Sequence, residues 1–265
     1  EHVLAEARQL ADSGVKELIV IAQDITRYGM DWDGKPHLAD LLEELCKLDF
    51  HWIRLHYLYP EWIDDRLIDV IAREDKILKY LDIPLQHCND KILKKMNRRG
   101  DKKYLCALLD KLRERIPGLV LRTSIIAGLP GEGEEEFDEL CDFLREQKLL
   151  RAGVFPYSPE EGTRAAKMER VDSDEAARRA ERIVDIQSEI IDAWNDERQG
   201  DVMEVLCEGF DGQSMLFVGR SYAESPDIDG RIYFSAPRDV AAGEFVPVRI
   251  TGAMDGELTG ELTEE

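Results

Sequence analysis

The chain has 265 residues, with 35 Lys and Arg against 56 Asp and Glu, which gives a formal net charge of −21. Hydrophobic residues make up 43% of the chain, enough for a packed core, and the longest apolar runs are far too short to cross a bilayer. The acidic excess argues against broad nucleic-acid binding and suits solubility or a basic partner, and no secretory leader is expected.

The first part of the chain alternates predicted helices with short apolar strands. Helical spacing predicts a first helix that ends at Gly14, and the apolar run Lys16–Ala22 predicts a strand buried on both faces. Further helices are predicted over residues 37–48, 62–73, 90–96, 102–116 and 135–147, and further strands over 52–57, 80–85, 119–127 and 152–157. This alternation predicts parallel βαβ units and therefore an α/β sheet.

Each of the five predicted strands ends in a polar or Gly/Pro-rich segment. These segments are Gln23-Asp24, Tyr59-Pro60, residues 84–87, residues 128–131 and residues 157–159. Ligand sites of parallel α/β folds lie at the carboxyl ends of the strands. An ordinary turn explains any one segment alone, but the five together favour an active-site rim.

The second part of the chain begins with a long predicted helix over residues 172–199. Asp172 and Glu175 are typical of a capping box, and an apolar stripe that includes Ile183 and Trp194 is predicted to pack against the barrel. After Gly200, short alternating segments separated by turns predict a small antiparallel barrel with OB-like character. The predicted domains are residues 1–171, a linker helix over 172–199, and residues 200–265.

The acidic charge is concentrated in the small predicted barrel. From Glu197 to Glu265 there are 5 Lys and Arg against 15 Asp and Glu, a net charge of −10, while the other 196 residues carry −11. A barrel that binds nucleic acid needs a basic groove, so this charge favours a basic protein partner.

Five cysteines lie far apart, and no C-x-x-C or other metal-ligand spacing is present. Their odd number and spacing predict neither a disulfide framework nor a cluster, and they favour a reducing cytosol. The chain opens without Met inside a helical pattern, so we expect the natural N-terminus elsewhere.

Several motifs occur in a fixed order along the chain. They are VKELIVIAQDITRYG (15–29), RLHYLYP (54–60), YLDIPLQHCNDKILKKMNRRG (80–100), LRTSIIAGLPGE (121–132), FPYSPEEGTRAA (155–166) and VGRSYAESPDIDGRIYF (218–234). This set resembles the methylthiotransferases of the radical S-adenosylmethionine (SAM) superfamily over nearly the whole chain. LHYLYP, Arg98-Arg99 and YSPEEGT resemble the branch that acts on a small-subunit ribosomal protein, S-twelve.

The resemblance implies a six-stranded βα barrel, a C-terminal TRAM domain and a cytoplasmic enzyme. It implies transfer of a methylthio group to the β-carbon of an aspartate, with SAM, two 4Fe–4S clusters and an electron donor. One cluster would cleave SAM to a 5′-deoxyadenosyl radical, and the second would serve sulfur delivery. A dry barrel interior would hold both substrates in reactive geometry.

The chain departs from the family in one respect, because it has no C-x-x-x-C-x-x-C loop. We therefore expect the first strand, its cluster loop and a further cluster domain upstream of Glu1, and no activity from this fragment alone. No cysteine of this chain is assigned to a metal. Cys88 follows a strand end, but a buried structural thiol is the better interpretation.

The candidate cofactor-binding residues lie at the predicted strand ends. The resemblance places Gln23 and Asp24 near the methionine part of SAM, where a carboxylate or amide could bind the ammonium group, although Asp24 also fits a turn or helix cap. Seven further candidates are chosen because they lie on or after a predicted strand or in the Gly-rich loop, and each of them also has a structural explanation. They are His56, Gln86, His87, Arg122, Ser124, Gly128 and Tyr157. A basic cluster within residues 94–103 favours a solvated helix face over contact with RNA.

Three alternatives remain open from the residues alone. They are a transfer-RNA adenosine methylthiotransferase of the same superfamily, an unrelated βα-barrel hydrolase or lyase, and a non-enzymatic binding module. No metal motif or nucleophile–base signature favours the hydrolase.

Overall fold

A computed structural model describes residues 1–264 and divides the chain into two compact units, Glu1–Gln187 and Ser188–Glu265. Glu265, the last residue of the predicted C-terminal domain, lies outside the described residues.

The first unit is built on a parallel sheet with the strand order β1-β2-β3-β4-β5. The strands are β1 (Glu17–Val20), β2 (Trp52–Leu55), β3 (Ile77–Asp82), β4 (Val120–Ala127) and β5 (Arg151–Pro156). The helices are α1 (His2–Asp12), α2 (Met30–Asp33), α3 (Leu38–Leu45), α4 (Asp65–Arg73), α5 (Asp90–Lys95), α6 (Lys102–Arg115), α7 (Glu134–Gln147) and α8 (Ser173–Glu197). The predicted α/β class with a parallel sheet is confirmed.

Two strands differ from their predictions. All four residues of β1 are only half-buried, whereas the apolar run predicted burial on both faces, because β1 pairs only with β2 and lies at an edge of the sheet. Strand β3 begins at Ile77 and ends before Pro84, which has no N–H to donate to a ladder. Residues 83–87 lie beyond the end of β3 but stay beside β4, since Gln86 forms an isolated parallel bridge with Ile125.

The long helix α8 contributes side chains to both units. Ile183 is fully buried in the first unit, and Gln187 Nε2 donates to the carbonyl oxygens of residues 149 and 150 at 3.0 and 2.6 Å. Trp194 packs instead against the core of the small barrel. The prediction that the whole apolar stripe packs on the α/β sheet is therefore wrong for Trp194.

The second unit holds a closed five-stranded barrel, in which each strand pairs with two neighbours in the order β10-β8-β7-β6-β9. The strands are β6 (Val202–Asp211), β7 (Leu216–Arg220), β8 (Ile232–Ser235), β9 (Phe245–Met254) and β10 (Glu257–Leu262). The sequence analysis did not predict β10, and its expectation of an antiparallel barrel is wrong at one pair, because β10 runs parallel to β8. A Cβ on Gly260 would lie 2.5 Å from the carbonyl oxygen of Arg249 on β9, so the close antiparallel pairing of β10 with β9 requires glycine.

Within residues 1–264, no helix is both long and apolar enough to cross a membrane.

Candidate functional site

A cleft of about 690 Å³ opens where strands β1 to β4 reach their carboxyl ends. The residues that line it follow β1, β2 and β3 or lie on β4: Ile21, Ala22, Gln23, Tyr57, Tyr59, Pro84, Gln86 and Ser124. The cleft therefore occupies the edge of the sheet at which the sequence analysis expected a site.

Two side chains of the cleft are carried by strained backbone. Tyr57 has φ 61° and Gln86 has φ 70°, in the left-handed region that non-glycine residues seldom occupy. Hydrogen bonds hold both residues, since Ile25 N donates to Tyr57 O at 3.2 Å and Gln86 N donates to Ser124 O at 2.8 Å. Strain that the surroundings enforce in this way is typical of functional sites.

Buried polar atoms without partners mark the same region. Gln86 Oε1 and Tyr157 Oη are shielded from solvent, and neither has a hydrogen-bond partner among residues 1–264. An unpaired buried polar atom is costly unless another molecule satisfies it. A ligand with hydroxyl and ammonium groups, such as SAM, would supply the missing partners, so the residues of the cleft fit this cofactor.

Asp24 has the predicted capping role, and its predicted role toward the cofactor stays a prediction. Its Oδ1 accepts from Thr26 N at 3.0 Å and from the Thr26 hydroxyl, and it caps the short 3₁₀ helix Ile25–Arg27. Its Oδ2 is buried without a partner in the described part of the chain. One oxygen is therefore structural, and the other is available to a cation.

Arg122 and His56 meet a carboxylate that the sequence analysis missed. Asp82, fully buried at the end of β3, accepts from Arg122 Nη1 at 3.0 Å, and its other oxygen lies 3.3 Å from His56 Nδ1. This ion pair gives Arg122 a structural role. Asp82 lies inside the predicted strand 80–85, and strand periodicity does not single out one of its residues as a member of the site.

His87 and Gly128 belong to a second buried network, centred on Glu132. The Glu132 carboxylate accepts from Gly128 N at 2.9 Å and Arg179 Nη1 at 2.9 Å, and it lies 3.3 Å from His87 Nε2. Asn89 N donates to His87 Nδ1 at 2.9 Å, so a neutral ring carries its proton on Nε2, toward Glu132. Burial opposes ionisation of Glu132, but these donors outweigh it and lower its pKa.

Three of the nine predicted cofactor-binding residues line the cleft, namely Gln23, Gln86 and Ser124. The other six lie at neighbouring strand ends or in the networks just described, outside its lining. Gly128 has a packing reason of its own, because a Cβ there would lie 2.5 Å from the Ala176 Cβ. Tyr57 and Tyr59 were missed as site residues, although their motif was singled out.

The five cysteines are free thiols, and burial raises the pKa of each. Cys88 is 0% exposed, which confirms its predicted burial, and the pKa of Cys46 is raised to about 11. Among the described residues, no three His, Cys, Asp or Glu side chains are grouped so that they could hold a metal ion.

Comparison with known proteins matches residues 1–144 to the radical SAM superfamily and residues 200–263 to the TRAM domain. Three relatives carry the name ribosomal protein uS12 methylthiotransferase RimO. The protein from Symbiobacterium thermophilum is 48% identical over 100% of this chain and 55% of its own length. The protein from Pelotomaculum thermopropionicum is 48% identical over 98% of this chain and 60% of its own length. The protein from Myxococcus xanthus is 47% identical over 100% of this chain and 56% of its own length.

The chain thus spans between half and two thirds of the length of these relatives. The superfamily match covers more than half of the chain, including the parallel sheet up to β4 and every residue that lines the cleft. The chain belongs to the radical SAM superfamily and carries a TRAM domain at its C-terminal end.

Proposed function

We propose that this chain is part of a methylthiotransferase that adds a methylthio group to the β-carbon of an aspartate in ribosomal protein uS12. The observation that carries the proposal is the likeness to proteins of that name over the whole chain, at 47 to 48% identity in the three relatives described. The cleft supports it, because its lining includes the buried Gln86 Oε1, which has no partner within residues 1–264 and would accept from a small polar ligand.

The cleft residues bind and orient SAM in this proposal. Gln86 Oε1 accepts a hydrogen bond from the cofactor, Gln23 and Ser124 line the same wall, and Asp24 Oδ2 receives its ammonium group. His56 and Arg122 act through Asp82, while His87 and Gly128 act through Glu132, so that the strand ends keep their positions. The Tyr157 hydroxyl forms a further hydrogen bond with the cofactor in this proposal.

When bound, SAM and its 4Fe–4S cluster supply the radical that removes a hydrogen atom from the substrate carbon. Two clusters are part of the proposal, and their ligands upstream of Glu1 remain a prediction. Tyr57 and Tyr59 line the cleft and limit access of other C–H groups to it, since a primary carbon radical reacts with almost any accessible C–H bond.

The acidic TRAM domain docks the basic substrate protein in this proposal. Its strands carry exposed apolar side chains, Phe210 at 52% and Met215 next to β7 at 69% exposure, beside the acidic Asp211. Charge and exposed apolar surface together suit a basic protein. Transfer RNA is the second candidate substrate, and the net charge of −10 from Glu197 to Glu265 weighs against it. The proposal places the enzyme in the cytoplasm with a protein electron donor.

Incubation of the complete reconstituted enzyme with SAM and a reductant, with either purified uS12 or transfer RNA, tests the proposal. We expect mass spectrometry to find one added methylthio group on an aspartate of uS12 and none on the RNA. Modification of the RNA, with uS12 unchanged, would reverse the assignment.

A further inference from the structure

Two arginines that follow α5 stack on aromatic rings, and one of these rings, that of Tyr59, lines the cleft. The guanidinium carbon of Arg98 lies 4.9 Å from the centre of the Tyr59 ring, and that of Arg99 lies 5.8 Å from the Trp62 ring. Tyr59 is itself a wall of the cleft. Within residues 1–264, neither arginine forms an ion pair with a carboxylate.

Several arginines of the first unit form ion pairs with carboxylates, as Arg115 does with Asp69 and Arg179 with Glu132, whereas Arg98 and Arg99 do not within the described residues. An arginine that lies over a ring uses its face for that contact, and its in-plane N–H donors remain available to an anion. Arg98 is therefore a donor group held beside the cleft with unused binding capacity.

The loop that carries the two arginines is held in place before any ligand arrives. Asn97 and Gly100 flank the pair with left-handed φ angles of 55° and 87°, and Arg98 N donates to Leu93 O at 2.9 Å. A Cβ on Gly100 would lie 2.7 Å from the Tyr104 ring, and Tyr104 Oη donates to Pro60 O at 2.8 Å. Tyr104 thus ties this loop to the segment that carries Tyr59 and Trp62.

We infer that Arg98 is the specificity-determining residue that binds the carboxylate of the substrate aspartate, an inference that rests on the proposed function. The carbon that reacts in an aspartate side chain is bonded directly to its carboxylate, so that carboxylate must enter the cleft with it. Arg122 is already bound by Asp82 at 3.0 Å. Arg98 lies over Tyr59, a residue of the cleft wall, and within residues 1–264 no carboxylate pairs with it. Its bidentate binding would distinguish aspartate from asparagine.

A double-mutant cycle on binding tests the inference. The complete protein, as the wild type, Arg98→Ala or Arg98→Lys, is titrated by fluorescence anisotropy with uS12 peptides that are each centred on one aspartate. Each peptide is also made with asparagine in place of that aspartate. Lys103→Ala is the control, since Lys103 is exposed and its ammonium group has no ion-pair partner in the described chain. Thermal unfolding verifies that each variant is folded.

We expect Arg98→Ala to lower the affinity for the aspartate peptide about tenfold or more, and to leave the affinity for the asparagine peptide nearly unchanged. Arg98→Lys should recover only part of the loss, and Lys103→Ala should bind like the wild type. Equal losses for the two peptides, a wild type that binds both equally or neither, or a Lys103→Ala effect of the same size would overturn the inference.

The same variants separate this inference from the function on which it rests. If the wild type modifies uS12 while Arg98→Ala keeps its KM and its preference for aspartate, only the role of Arg98 fails. If the wild type leaves uS12 unmodified, the proposed function fails, whatever the binding data show.

Discussion

At the scale of single residues, the unpaired side-chain oxygen of Gln86 should affect both the stability of the free protein and its affinity for a ligand. A buried acceptor without a donor destabilises the ligand-free protein, and the same atom becomes favourable once a ligand donates to it. The side chain is therefore expected to serve the bound state at the expense of the free one.

Replacement of Gln86 by Met, a side chain of similar length without the acceptor, tests this expectation. The free energy of unfolding without ligand should rise by about 1 kcal/mol, because the unpaired acceptor is gone. Affinity for SAM should fall about tenfold. Thermal unfolding with and without SAM measures both effects, and a less stable ligand-free variant would show that Oε1 has a structural partner.

Glu132 makes the fold sensitive to acid. Its pKa is lowered below the ordinary 4.5, so its ionisation stabilises the folded chain above pH 4.5, and this contribution is lost as the pH falls through the lower native value. Glu132→Gln should cost about 3 kcal/mol at pH 7, because it leaves Arg179 without one of its buried partners.

Urea unfolding of the protein at pH 7, and at pH 4 and below, measures the contribution of the Glu132 charge to the stability of the first unit. The difference between wild type and Glu132→Gln should shrink as the pH falls. A difference that stays constant across this range would mean that the charge of Glu132 does not contribute to stability.

At the scale of elements, Gly128 fixes the approach of α8 to the loop after β4. A Cβ there would lie 2.5 Å from the Ala176 Cβ, and the residue has φ +78°. Gly128→Ala should therefore suffer both backbone strain and a clash. Gly14 is the matched control, because it has φ +88° and open space around its Cβ position.

Gly14→Ala should lose about 1 kcal/mol of unfolding free energy from strain alone. Gly128→Ala should lose about 2 kcal/mol more, and a second change, Ala176→Gly, should recover the part due to the clash. Chemical denaturation of the single and double variants measures each loss. Equal losses for the two alanine variants would show that α8 adjusts without cost.

The elements also show how far the sequence determines the outcome. Periodicity and turn residues predicted the parallel sheet and its five strands, because short, largely apolar segments alternate with helical patterns along the first unit. Strand β10 was missed because its ELTGEL segment has a single fully buried side chain, Leu258, and a glycine that its antiparallel partner β9 requires. The networks around Asp82 and Glu132 were missed because both depend on partners distant in sequence.

At the scale of the whole molecule, the position of the negative charge should matter more than its amount. Asp239 and Glu261 are exposed acids of the TRAM domain, and Glu114 and Glu146 are exposed acids of the first unit. Changing either pair to Lys alters the net charge equally. If the TRAM domain docks a basic protein, only the first pair should weaken binding.

We expect Asp239→Lys with Glu261→Lys to raise the Kd for uS12 severalfold at low salt, with a smaller difference at high salt. Glu114→Lys with Glu146→Lys is the charge-matched control and should bind like the wild type. Titration at several salt concentrations gives both values. Equal weakening by the two pairs would assign the attraction to net charge and not to the TRAM surface.

The buried thiols have a practical consequence for work on this protein. Alkylating reagents attack the thiolate, and all five cysteines have a raised pKa, so at neutral pH each thiol stays protonated. A brief exposure to iodoacetamide should leave the five nearly unlabelled by mass spectrometry, whereas an ordinary exposed thiol would react. A cysteine of the complete enzyme that labels quickly can then be distinguished from the five slowly reacting cysteines of this chain.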